Sequence, residues 1–474
     1  MLYIAKDIQT PIYEQIYTSL MQEILSGSLK FGDKLPATRK LAAELSVGRN
    51  TVDKAYQQLV AEGYVTAIVG SGFTINKIAS EFYVPNQADF STPTYEPKTP
   101  SFSTRYDFAY GAIDNSIFPH KQWRKSINNA LTLMESYSCI NYPNRQGETS
   151  LRQSISHYLK RSRGVCCNAS QVIITCGHQH SMEIIANMFE TSSKRFAMED
   201  PGYDGIRIVF QNHKYQVVPI PVEKDGVSIE SIEALNTDLL YLTPSHQFPT
   251  GVVLSIAKRR KLLQWAFNTN SYLIEDDYDS ELRYDTNPIP SLQSLDNHDR
   301  TIYTGTFSKS LSPSMRVAYL VLPHSLVDTY KHYYHRYNSQ VSVLHQTALS
   351  DFISSGNYEK HMNRLRTFYR KRQNALLTAL DEVFGNTTTI SGEGAGMHIL
   401  LTIKNSLTQD ELIKRAESIG IRIYSPSANY MNPTDCPRSQ ILLGFATIPT
   451  CKFKVILEEL YHVWNNDFKD SLTF

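Results

Sequence analysis

The chain is poor in cysteine: six in 474 residues, none in a C-x-x-C pair and none clustered with histidine at zinc-binding spacing. This excludes a disulfide scaffold and a zinc finger, leaves no expected metal, and fits a reducing cytoplasm. No apolar run approaches the ~20 residues that a membrane-spanning helix needs. The stretch Met1–Asp7 lacks the apolar core of a secretion signal. Net charge is also nearly absent, with 47 Lys+Arg against 46 Asp+Glu and a formal value of +1. The whole chain is therefore no polyelectrolyte, and any nucleic-acid contact must come from a local patch. No internal repeat is visible. A chain of 474 residues is too long for one ordinary domain, so two or three are expected.

The first 78 residues have a texture of their own. Thr10-Pro11 suits a helix start, and Ile12, Ile16, Leu20 and Ile24 form one apolar stripe ending at Gly27. A short second helix carries Leu41, Ala42 and Leu45 inward. A third, beginning near Arg49, carries Val52, Ala55, Tyr56 and Leu59. Two β-rich runs around Gly70-Ser71-Gly72 then predict a hairpin. Three short helices and a hairpin make a winged helix-turn-helix, with the third helix as the major-groove reader. Arg49, Asn50, Thr51 and Lys54 line that helix's leading end. From Lys34 to Lys54 there are five basic residues against two acidic ones, which fits a phosphate-facing edge. A helical protein-binding module explains the charge equally well.

Residues 79–104, with Pro85, Pro93, Pro97 and Pro100 among Ser and Thr, read as a flexible linker. From 105 to 474 short β-branched runs alternate with helical stretches, the pattern of a mostly parallel sheet covered by helices. Ligands of such sheets gather at the carboxyl ends of strands. There the sequence places Cys176-Gly177-His178-Gln179, Asp200-Pro201-Gly202-Tyr203, the stretch Pro244 to Gly251, Glu275-Asp276-Asp277-Tyr278, and Thr306-Phe307-Ser308-Lys309 with Arg316 seven positions on. These offer an anion nest, a stacking aromatic, polar hydrogen-bonders, an acid–tyrosine pair and an amine. Together they suit pyridoxal phosphate (PLP), which needs a lysine for its Schiff base and a carboxylate to keep the pyridine nitrogen protonated. It also needs a phenol near O3′ and donors for its phosphate. Taken singly, each is also an ordinary turn glycine, capping acid or surface lysine.

Two resemblances sharpen this. Pro11 to Lys77 resembles the winged-helix domain of GntR-type bacterial regulators, through Leu35-Pro36-Ala37-Thr38-Arg39, Arg49-Asn50-Thr51-Val52, Ala55-Tyr56, Glu62-Gly63 and Gly70-Ser71-Gly72. It implies that Arg39 and Arg49 contact operator DNA and that the wing, Gly70, Ser71 and Gly72, approaches the minor groove. Gly48 stands where that family usually has serine. From about Tyr106 onward the chain resembles fold-type I aminotransferases, most closely those of MocR/GabR-type regulators. The words that carry this include Phe118-Pro119, Asp200-Pro201-Gly202-Tyr203, Glu275-Asp276-Asp277-Tyr278, Gly305-Thr306-Phe307-Ser308-Lys309, Arg316 and Leu443-Gly444-Phe445-Ala446. The implied fold is α/β, a winged helix-turn-helix head plus a fold-type I transferase-like domain with a smaller C-terminal α+β part.

The resemblance implies Lys309 as the catalytic-type lysine carrying PLP as an internal aldimine. It implies Asp276 at the pyridine nitrogen, Tyr278 at O3′ and Tyr203 on the ring. His178, Gln179, Thr306, Ser308 and Arg316 fall at the phosphate. Phe248 replaces the usual asparagine, which leaves His246 or Gln247 for its polar role. No arginine stands just before Gly444-Phe445 to grip a carboxylate, so Arg438 and Arg207 are the candidates. The expected function is a PLP-dependent regulator that binds double-stranded operator DNA as a homodimer. Its effector would be an amine, an amino acid or PLP itself. The alternative is a working aminotransferase with an accessory DNA-binding head.

Overall fold

The computed structural model describes residues 10–77, 104–136, 142–189, 194–279, 281–284 and 289–465. The chain separates into two compact units, Met1–Thr99 and Pro100–Phe474, so the division falls inside the stretch read as a linker. Most of that stretch lies outside the described residues.

The first unit holds helices α1 (Ile12–Leu25), α2 (Thr38–Glu44) and α3 (Arg49–Ala61), then strands β1 (Val65–Ile68) and β2 (Gly72–Ile75). Its core is the stripe the spacing predicts: Ile16, Leu20 and Ile24 against Leu41, Val52, Ala55, Tyr56 and Leu59. Helix α1 starts one residue later than the Thr10 cap implies. Pro11 itself stands at the N-cap with extended ψ, and no side chain caps the helix. Proline's fixed φ serves either position. Strands β1 and β2 pair antiparallel from Val65↔Ile75 to Ile68↔Gly72. Phe73 packs edge-on against Tyr56, 4.9 Å between ring centroids, which ties the wing to the third helix.

In the second unit an eight-stranded sheet is built from β4 (Val172–Thr175), β5 (Arg195–Asp200), β6 (Gln216–Glu223), β7 (Gly226–Val227), β8 (Leu239–Leu242), β9 (Tyr272–Asp276), β10 (Thr301–Thr306) and β11 (Ala318–Val321). The short β3 (Tyr106–Asp107) precedes it. The order is β4-β11-β10-β9-β8-β5-β6-β7. β5, β6, β8, β9 and β10 run parallel; β11 is antiparallel to both β10 and β4, and β7 is antiparallel to β6. β4, β8 and β11 are buried at every position, as sheets covered on both faces require.

The covering helices are α4 (His120–Ser136), α5 (Thr149–Ser162), α6 (His178–Met188), α7 (Asp204–Asn212), α8 (Ile229–Glu233), α9 (Ile256–Thr269), α10 (His324–Tyr333) and α11 (Val343–Ser354). The long α12 (Asn357–Phe384) leads to a smaller α+β part. There β12 (Thr388–Ser391), β13 (His398–Ile403) and β15 (Gln440–Gly444) form an antiparallel sheet, while β14 (Ile421–Arg422) pairs with β3. Helices α13 (Gln409–Ser418) and α14 (Phe453–Asn465) pack on it through Leu412, Ala416, Phe453, Leu457 and Trp464. Among the described residues no helix is long and apolar enough to cross a membrane, and no three His, Cys, Asp or Glu side chains gather as metal ligands.

Candidate functional site

The carboxyl ends of β4, β5, β8, β9 and β10 open into one cavity of about 180 Å³. His178, Gln179, Tyr203, Asp276, Tyr278, Thr306, Ser308, Lys309 and Arg316 all line it, nine of the ten residues that the sequence nominates for a cofactor. β11 separates β4 from β10 but runs the opposite way, so the Gly177 turn and the Lys309 turn emerge on the same edge.

Lys309 lies in the turn after β10. Its amine sits 3.9 Å from the centre of the Tyr110 ring. Gly111, at φ +97°, leaves the space beside it: a Cβ there would come within 3.2 Å of Nζ. Lys309 makes no hydrogen bond or ion pair with a described residue. Burial pulls its pKa down to about 8, against an upward pull from Asp279 and Asp276. An unpaired amine with a depressed pKa is what a nucleophilic lysine requires.

The acidic run after β9 is sorted by strand alternation and by partner. Glu275 turns away and accepts the backbone N–H groups of Leu292 and Gln293, and burial raises its carboxyl to about 7. Asp277 is locked to the buried Arg163 at 2.7 Å and to the Tyr303 hydroxyl. Asp279 stands 2.9 Å from His246 Nδ1, and Glu281 accepts from Tyr158. Asp276 alone of these acids lines the cavity. It is buried, accepts from the Tyr241 hydroxyl at 2.5 Å and from Thr304 at 3.3 Å, and has His178 Nε2 3.1 Å away.

Opposite Asp276 is an anion cradle. Helix α6 begins at His178, so its first N–H groups and the positive end of its dipole face the cavity. Gly177, at φ +117°, brings the chain into that helix. A Cβ there would collide with the Arg316 guanidinium, which is itself free of any described partner. Thr306 donates to the Ser308 hydroxyl at 3.0 Å and accepts from Ser308 N–H at 3.1 Å, placing two hydroxyls on the same wall. Tyr203, whose ring folds over Gly205, lines the wall between cradle and acid.

Four expectations change. His246 does not line the cavity: it is buried behind Tyr278, with Nδ1 facing Asp279, and its carbonyl takes the Tyr278 hydroxyl at 3.0 Å. Gln247 is likewise committed, donating to Pro201 and Phe248 carbonyls. For His178, where a backbone or a side-chain donor is expected, the side chain points to Asp276 and the backbone N–H is the one left at the cradle. Arg207 spends its guanidinium on the carbonyls of Tyr430 and Ala428, and Arg438 is exposed before β15; neither lines the cavity. Sequence reading missed Tyr110 and Tyr241. Tyr241 is buried and Tyr110 half-buried, and both phenols have their pKa pushed well above the ordinary value, by desolvation first and neighbouring carboxylates second. Tyr241 hides in an apolar strand, and Tyr110 follows a two-residue one, so neither carries a periodic signal.

In the head, Arg39, Arg49, Asn50 and Lys54 are exposed and Thr51 is half-buried. Arg49 rests 3.4 Å from Asp53 on the next turn, and the Lys54 amine lies 3.7 Å over the Tyr13 ring. At the wing, Gly70 and Gly72 take positive φ, and Ser71 accepts from Lys34 Nζ at 2.8 Å.

Comparison with known proteins agrees with this architecture. Residues 108–438 match the family of aminotransferase class I and II, and residues 12–75 match bacterial regulatory proteins of the gntR family. The HTH-type transcriptional regulator YdeL of Bacillus subtilis (strain 168), itself uncharacterized, is 37% identical over 462 residues, 98% of either chain. The probable rhizopine catabolism regulatory protein MocR of Rhizobium meliloti is 32% identical over 94% of this chain and 92% of its own. A crystal structure of kynurenine aminotransferase from Pyrococcus horikoshii shares the fold of the large unit, with TM-score 0.67 and 24% identity over 75% of this chain and 90% of that one. The chain thus belongs to the MocR-type transcriptional regulators, in which a gntR-family DNA-binding head is joined to an aminotransferase class I and II domain.

Proposed function

We propose that the cavity holds PLP and that its occupancy, or its reaction with an amino compound, sets how the head binds operator DNA. The observation that carries this is Lys309: an amine of lowered pKa, without a hydrogen-bond or ion-pair partner among the described residues, sharing one cavity with a buried aspartate and with a guanidinium that likewise has none among them. Lys309 would hold the cofactor's aldehyde carbon, Asp276 its ring nitrogen and Tyr278 its O3′. Tyr203 would cover the ring. The α6 N-terminus at His178 and Gln179, with Thr306, Ser308 and Arg316, would take the phosphate. When bound, PLP supplies an electrophilic carbon that exchanges with amines, which makes an amine, an amino acid or PLP itself a suitable effector.

The chain's own residues favour sensing over turnover. Arg207 and Arg438 bring no cation to the cavity, so among its lining residues only Arg316, beside the anion cradle, offers a guanidinium. A substrate carboxylate finds no second one there among the described residues. Regulation needs an effector with different affinities for two states of the protein. A twofold dimer would present two heads to paired half-sites.

Titration of operator DNA with the full-length protein, with and without PLP and at fixed salt, tests this. The affinity or the footprint is expected to change with PLP. Arg49→Ala is expected to weaken binding by roughly 1–3 kcal/mol in both conditions, the loss from removing one base contact. Binding indifferent to PLP and to a panel of amines would remove the sensing role. An unchanged Arg49→Ala titration would take Arg49 off the reading surface.

A further inference from the structure

Asp276 is not a bare carboxylate. Tyr241 pairs with Ile274 across β8 and β9, so it lies diagonal to Asp276 on the same face of the sheet. Thr304, on β10, lies directly opposite Asp276. Those positions deliver a donor to each oxygen: the Tyr241 hydroxyl to Oδ2 at 2.5 Å and the Thr304 hydroxyl to Oδ1 at 3.3 Å. Tyr241 is fully buried and also lines the cavity.

Resting on the PLP reading above, we propose that Tyr241 is a positioning residue that weakens the grip of Asp276 on the cofactor's ring nitrogen, with Thr304 as a lesser second donor. A carboxylate that already shares its charge with a phenol is a poorer acceptor for a further N–H. Burial and the Asp276 charge both push the phenol's pKa well up, so Tyr241 stays protonated and donating. Removing the phenol leaves a buried carboxylate short of a donor, and the ring N–H then gains what the phenol supplied. The opposite effect, in which Tyr241 merely aims the carboxylate, is countered by Thr304 and by the paired backbone of β9, which hold Asp276 in place. A ring nitrogen held this loosely suits a domain whose cofactor is exchanged and sensed.

The test compares PLP with an analogue carrying carbon in place of the ring nitrogen, each titrated into full-length wild-type protein, Tyr241→Phe and Thr304→Val. The ratio of the two affinities isolates the contact at nitrogen, which a general packing defect leaves alone. Wild type is expected to prefer PLP. Tyr241→Phe is expected to enlarge that preference roughly tenfold, about the worth of one hydrogen bond to a charged group, and Thr304→Val to enlarge it by less. A ratio unchanged or reduced in Tyr241→Phe overturns the inference while leaving the cofactor reading intact. Should that variant fail to fold, an unchanged ratio in Thr304→Val overturns it instead. If wild type shows no preference, the role of Asp276 at the ring nitrogen falls, and this inference with it.

Discussion

Arg316→Ala is expected to weaken PLP binding by about 2–3 kcal/mol, roughly thirty- to a hundred-and-fiftyfold. The guanidinium sits beside Gly177 at the start of α6, has no described protein partner, and meets a helix N-terminus that also favours an anion. Two cationic features aimed at one place repel each other until an anion arrives, so the anion gains from both. Arg316 is exposed to solvent, which keeps the expected loss below that of a fully buried bidentate pair. Titrating the variant with PLP and with pyridoxal separates the causes. Pyridoxal lacks the phosphate, so its affinity is expected to stay near the wild-type value. An equal loss for both ligands would mean that Arg316 supports the fold of the turn and not the phosphate.

The second large effect concerns Lys309 in the cofactor-free protein. Its folded pKa of about 8 lies below the 10.5 of an unburied lysine. Below about pH 8 both folded and unfolded chains carry the proton, and the folded state bears the whole cost of a desolvated ammonium. Between about 8 and 10.5 the unfolded chain binds more protons than the folded one, so stability rises with pH and the cost disappears. Lys309→Met is therefore expected to melt at higher temperature than wild type at pH 7. The gap should narrow as pH rises from about 8 toward 10. Melting curves of both apoproteins across that range check it, and a gap that is absent at pH 7 or constant with pH removes the burial argument. The same shift has a functional side. At pH 7.5 an amine of pKa about 8 is roughly one-quarter neutral, whereas an ordinary lysine is about one-thousandth neutral. The cost in stability and the readiness to react have one cause.

Much of the site was legible because strands buried on both faces leave few choices. Val172–Thr175 and Leu239–Leu242 are apolar runs bounded by turn residues, and the chemistry had to follow their ends. The head was legible for a related reason: Ile16, Leu20 and Ile24 repeat every four residues and face one core. What stayed hidden depends on side-chain direction. A lone sequence gives no reason why His178 leans toward Asp276 while its neighbour Gln179 heads the cradle wall, since both sit in the first turn of α6. Arg207 follows Tyr203 by four residues, one helical turn along, yet it is captured by two carbonyls more than two hundred residues away. His246 and Asp279, far apart in sequence, become a buried pair only when β8 and β9 lie side by side. Tyr241 reads as one more core residue of its strand because only its hydroxyl is polar, and the partner of that hydroxyl is on the neighbouring strand.

All of the cofactor chemistry converges on one amine. The most direct measurement loads the full-length protein with PLP, fixes the attachment with borohydride and maps the peptides by mass spectrometry. A pyridoxyl group on Lys309, and its loss in Lys309→Ala, is the expected result. A label spread over surface lysines, or none on the peptide that contains residue 309, would contradict it.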